Sequence, residues 1–156
     1  MRTILFSLSA VVLLLVGCGG GATLNLDRRG SIEGDGPDRV TVQHILIAFD
    51  GLESSKKVTR SKMDAQLLAE DLYRRAKSGE NFDDLVEEYT DDSVPGVYGM
   101  ANNGIEADRS RRIYERSTMA PAFGDVSFSL VVGEVGLAWY DPNRCKFGWH
   151  IIKRIS

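Results

Sequence analysis

Hydrophobic and polar positions are patterned most clearly at the two ends of the chain beyond residue 38. Val40-Thr41-Val42-Gln43-His44 places Val40, Val42 and His44 on one side of an extended backbone, while Ile45 to Phe49 is apolar on both sides, as in a central strand covered on both faces. Phe147 to Ile155 sets bulky residues around the β-branched pair Ile151-Ile152 and reads as a second strand. Each run carries one of the two histidines in the chain. Pairing the runs side by side would bring His44 and His150 together in the middle of a sheet.

Between these runs the period becomes helical. Ala65, Leu68, Ala69, Leu72 and Ala76 recur at i, i+3, i+4 spacing, which predicts a helix capped by Ser61, running to Ser78 and stopped by Gly79. Asn81 caps a shorter helix, Phe82 to Tyr89, with Asp83 and Asp84 in the first turn where the dipole favours acids. Pro95-Gly96 then turns the chain into a short strand, Gly96 to Met100. Residues 101–117 are polar, with no clear period beyond a helical turn near Arg111 to Glu115. Met119 to Leu130 reads as a third helix with Pro121 in its first turn. Gly133 to Tyr140 is a strand, and Asp141-Pro142-Asn143 is the turn of a hairpin into the last strand. This order predicts an α+β domain over residues 39–156, with a small, mainly antiparallel sheet.

The beginning of the chain follows a different pattern. Arg2 precedes an apolar run, Ile4 to Val16, of signal-peptide length and shorter than the roughly 20 residues of a membrane helix. It ends in Leu15-Val16-Gly17-Cys18, which resembles a bacterial lipobox. Residues 1–17 are therefore expected to be a lipoprotein signal peptide, and Cys18 the lipid-bearing residue that anchors the protein to a membrane. Residues 18–38, opening on Gly19-Gly20-Gly21 and rich in Gly, Asp and Arg, read as a flexible tether. With Cys18 lipidated, Cys145 has no disulfide partner. The domain is expected outside the cytoplasm, in the bacterial cell envelope. Gly19 instead of Asp after the cysteine favours the outer membrane if the cell is Gram-negative.

Composition narrows the function only by exclusion. An apolar fraction of 43% and a charged fraction of 26% are ordinary for a soluble domain, and a net charge of −3 argues against a generic nucleic-acid binder. No HExxH or paired-cysteine spacing supports a metal site, and neither a nucleophile motif nor a phosphate loop is present.

Taken together, several ordered pieces resemble the parvulin-type (PpiC-type) peptidyl-prolyl isomerases. They are Val42-Gln43-His44-Ile45-Leu46, Gly79 through Leu85 leading to Tyr89-Thr90-Asp91-Asp92, Met119 through Phe123, Phe128-Ser129-Leu130 with Gly133-Glu134-Val135, and Phe147 through Ile152. The resemblance implies a four-stranded antiparallel sheet wrapped by three to four helices. It implies a site in which His44, His150 and Asp92 form a polar network beside an apolar pocket of Met119, Phe123, Tyr98 and Phe147. The implied activity is cis-trans isomerisation of X-Pro bonds in exported or unfolded polypeptides, with no cofactor. The alternative is a chaperone-like module that binds extended segments without turnover. Relative to the family, the chain is about ten residues longer between Gly99 and Met119. Two basic groups, Lys56, Lys57, Arg60 and Lys62 after the first strand and Arg109, Arg111, Arg112 and Arg116 in the longer segment, are expected to form a rim that favours acidic client segments.

Overall fold

The structure is a computed structural model that describes residues 36–52 and 57–156. The expected signal peptide, Cys18, most of the tether and Lys56 lie outside the described residues. Pro37 and Asp38, expected at the end of the tether, accept hydrogen bonds from Asn102 and belong to the folded unit.

Among the described residues, ten segments follow in order. β1 (Arg39–Ile47) leads to α1 (Lys62–Lys77) and α2 (Phe82–Tyr89), then β2 (Val97–Ala101) and a 3-10 turn (Arg109–Arg111). β3 (Ile113–Glu115), a second 3-10 turn (Arg116–Thr118), α3 (Pro121–Ser129), β4 (Val135–Ala138) and β5 (Trp149–Arg154) complete the fold. The sheet order is β3-β2-β1-β5-β4. The first and last of the long strands thus lie side by side at its centre, antiparallel, with Leu46 opposite His150 and His44 opposite Ile152.

Strand alternation divides the core in two. On one face Ile45, Ile47, Ile151 and Trp149 pack against Ala65, Ala69, Leu72 and Ala76 of α1 and Phe82, Leu85 and Val86 of α2. Three of the four α1 residues are alanines, so the helix backbone sits close to the sheet. Both caps form as the sequence implies: Ser61 accepts from the Asp64 N–H and Asn81 from the Asp83 N–H. On the opposite face Val40, Val42, Met100 and Ile152 pack under Phe123 and Phe128 of α3. This second face also carries His44 and His150.

Apart from shorter ends of β1 and β5, the structure differs from expectation at three places. A fifth strand, β3, pairs parallel to β2 at the edge of the antiparallel four, where a helical turn was expected over Arg111 to Glu115. Only Arg109–Arg111 is helical; Arg112 then adopts a left-handed conformation (φ 59°) and swings the chain into the strand. α3 begins at Pro121, because a proline fits the first helical position and Ala120 before it is extended. β4 stops at Ala138, so Trp139 and Tyr140 lie beyond the ladder.

Candidate active site

The site grows from the pairing of β1 with β5. His44 and His150 are diagonal neighbours on the same face, and their Nδ1 atoms are 2.9 Å apart. The ring planes differ by 13° and the centroids are 5.1 Å apart. Adding a ring radius at each end of the Nδ1 contact recovers that separation, so the rings meet edge to edge, as an in-plane hydrogen bond requires. Phe123 of α3 sets its ring at 5.2 Å from each imidazole, edge-on.

Two glycines make this placement possible. Gly96 accepts the His44 N–H through its carbonyl and has φ of 67°; a Cβ there would lie 2.5 Å from the His44 carbonyl oxygen. Gly148, with φ of 142°, would bring a Cβ to 2.3 Å from the Ile47 carbonyl oxygen. Both positions therefore require glycine.

Asp92 reaches the pair from the loop after α2. Beyond the end of β2, that loop takes over the pairing along β1: Leu46 N–H donates to Thr90 Oγ1, Asp91 N–H to the Leu46 carbonyl, and Ala48 N–H to Asp91 Oδ2. Arg60 closes the arrangement by pairing with Asp91 and donating to the Ala48 carbonyl. Asp92 Oδ2 then lies 3.1 Å from His44 Nε2 and accepts the Tyr98 hydroxyl at 3.1 Å, while Oδ1 accepts the Ser93 N–H at 2.8 Å.

The electrostatics follow from these contacts. The hydrogen bond from His44 holds the Asp92 carboxyl well below the usual carboxylate range, with burial opposing it. Burial first, and the Asp92 charge second, push the Tyr98 phenol up to about 12. Burial, reinforced by His44, lowers the pKa of His150 far below that of a free histidine. An ionised Asp92 can only accept, so His44 donates through Nε2. With His44 donating from Nε2, its Nδ1 is the acceptor for His150, which leaves His150 Nε2 as a bare lone pair. That atom is buried and has no hydrogen-bond partner among the described residues. Asp92 is the member of the network open to solvent, with 31% of its side chain exposed against 3% for His44.

His44, His150, Asp92, Tyr98, Met119, Phe123 and Phe147, named from the sequence, all line one cleft of about 300 Å³. Leu46 and Ala120 line it as well and were not named. Leu46 was legible as the residue two beyond His44 on the same strand face; Ala120 follows from the extended step before Pro121. Thr90, Asp91 and Arg60, which position Asp92, were not read as site residues, because their contacts with one another and with β1 join segments far apart in sequence. Cys145 is buried, its thiol is pushed up to about 12 by that burial, and it donates weakly to the Gly148 carbonyl. Among the described residues, no three His, Cys, Asp or Glu side chains gather as metal ligands would.

Of the expected basic rim, Lys56 lies outside the described residues and four members are engaged elsewhere. Arg60 is taken up by Asp91, and Lys62 lies over the Tyr140 ring at 4.7 Å. Arg109 pairs with Glu115 at 3.0 Å, and Arg116 pairs with Asp125 at 2.8 Å while covering the Phe128 ring. Each of these cations finds an acid or an aromatic face close by, and none lines the cleft.

A family model described as a PPIC-type PPIASE domain matches residues 26–155. The chain is 34% identical over 131 residues to the chaperone SurA of Chromohalobacter salexigens, a match covering 82% of this chain and 25% of that protein. It is 29% identical over 116 residues to the foldase protein PrsA of Bacillus subtilis, covering 74% of this chain and 35% of that protein. It therefore spans about a quarter to a third of the length of these relatives. Among solved structures, the peptidyl-prolyl isomerase ESS1 from Candida albicans superposes with a TM-score of 0.53 at 21% identity, over 81% of this chain and 67% of that one. That likeness is one of fold.

Proposed function

The chain belongs to the PPIC-type peptidyl-prolyl isomerase family, and on that premise we propose that it catalyses cis-trans isomerisation of X-Pro bonds in exported or unfolded polypeptides. The observation that carries the reading is a cleft with apolar walls, Met119, Phe123 and Phe147, set over a buried histidine pair and rimmed by a carboxylate held ionised. Isomerisation makes and breaks no covalent bond, so the barrier of about 18–20 kcal/mol is one of lost amide resonance. The walls hold the proline ring out of water, which favours the twisted amide because it is less polar than the planar one. Asp92 acts through its charge. Resonance in the planar amide puts negative charge on the carbonyl oxygen, and a carboxylate beside that oxygen disfavours the planar form more than the twisted one. His44 and Tyr98 keep Asp92 ionised and oriented, and His150 holds His44. Asp92 forms no covalent intermediate in this account.

The test is exchange of a short X-Pro peptide with and without the purified protein. Acceleration by the parent, with weakened binding in Phe123→Ala, is expected; binding with no acceleration would replace catalysis by the chaperone-like reading, which the names of the SurA and PrsA relatives suit equally well. We further infer from residues 1–18 that the protein is a lipoprotein of the bacterial cell envelope, tethered at Cys18. In a Gram-negative cell, Gly19 favours the periplasmic face of the outer membrane. Among the described residues, no helix is long and apolar enough to cross a membrane.

A further inference from the structure

The longer segment between Gly99 and Met119 builds something the cleft does not account for. β3 lies tightly along β2: a Cβ at Gly99 would be 3.0 Å from the Arg112 carbonyl oxygen. Together with the loop before β2, this edge encloses a depression of about 370 Å³ lined by Ser93, Pro95, Tyr98, Arg112 and Tyr114, among others. Tyr98 lines both this depression and the cleft, so the two are adjacent.

The charges here are distributed unevenly. Arg109, Arg116 and Arg144 are matched by Glu115 and Asp125. Among the described residues, the Arg112 guanidinium and the Tyr114 hydroxyl enter no hydrogen bond or ion pair, Tyr114 lies close enough to Tyr98 to help raise its pKa, and no carboxylate lines the depression. A guanidinium takes a carboxylate through two parallel N–H donors, and a phenol adds a third.

We propose that this depression is a second subsite for the polypeptide, seating an Asp or Glu side chain close to the proline, with Arg112 as its ion partner and Tyr114 as a hydrogen-bond donor. The proposal rests on the isomerase reading above and adds selectivity to it. A single exposed ion pair of this kind gives about a two- to fivefold preference at low salt, and screening removes most of it.

The experiment compares kcat/KM for proline peptides carrying Glu, Gln, Lys or phosphoserine at each flanking position in turn. The proteins are the full chain, Arg112→Asn, Tyr114→Phe and, as control, Arg111→Asn. Asn is chosen because it tolerates the left-handed backbone at residue 112. The expected result is a Glu-over-Gln preference at one flanking position that shrinks with salt, falls to near unity in Arg112→Asn, falls partly in Tyr114→Phe and persists in Arg111→Asn. Equal rates for Glu and Gln everywhere, or an equal fall in both arginine variants, overturn the subsite and leave the isomerase reading standing. A stronger preference for phosphoserine than for Glu overturns the carboxylate assignment. No turnover of any peptide removes the isomerase reading itself, and the subsite with it.

Discussion

At the scale of residues, the site depends on one proton arrangement, in which a carboxylate fixes a histidine that fixes a second histidine. His150 is the member whose protonation folding opposes most. Its pKa lies near 6.5 in the unfolded chain and is lowered to about 3 in the fold, by burial first and by His44, with Asp92 opposing. Between these values the unfolded state binds a proton that the folded state does not, so stability rises with pH across that window. It is complete above pH 6.5 and is lost as pH falls towards 3. Asp92 acts in the same sense at lower pH, since its folded pKa lies below its ordinary value of 3.8. Urea unfolding of the parent between pH 7 and 4 should therefore show a decline of up to about 1.4 kcal/mol per pH unit, and His150→Gln should flatten it. A parent curve that does not change over this range would mean that His150 is not held neutral.

At the scale of elements, what was legible in the sequence was what local pattern dictates. The caps Ser61 and Asn81, the α1 and α2 stripes and the alternation around His44 and Ile151 all appear where their periods put them. β3 was not legible because Ile113-Tyr114-Glu115 has no alternation of its own and exists through pairing with β2. Part of the two basic groups was misread for a related reason. The partners of Arg116 and Arg60 stand nine and 31 residues away, so sequence proximity could not show that the fold commits these two side chains elsewhere. The same distinction governs the glycines. Gly133→Ala meets no atom within 4 Å and suffers only its left-handed backbone, whereas Gly148→Ala also drives a Cβ into the Ile47 carbonyl. Denaturant unfolding should give a loss of about 1 kcal/mol for the first and roughly 3 kcal/mol or more for the second. Equal losses would mean that the β1–β5 approach is looser than drawn.

At the scale of the whole molecule, the proposed lipid anchor rests on Cys18 and the residues before it and is tested apart from the cleft. Cys18→Ser should move the protein from the membrane to the soluble fraction, or stall its processing, in cell fractionation; full retention on membranes after signal cleavage would assign the anchor elsewhere. The central claim is that the cleft turns over prolines as well as holding them. The most direct measurement is NMR exchange on an X-Pro peptide at catalytic protein concentration, which reads the cis-to-trans and trans-to-cis rates separately. The account predicts that both rise by the same factor, leaving the cis fraction unchanged, and that the rise is largely lost in Phe123→Ala. Peptide resonances that shift on binding while both rates stay at their uncatalysed values would contradict it.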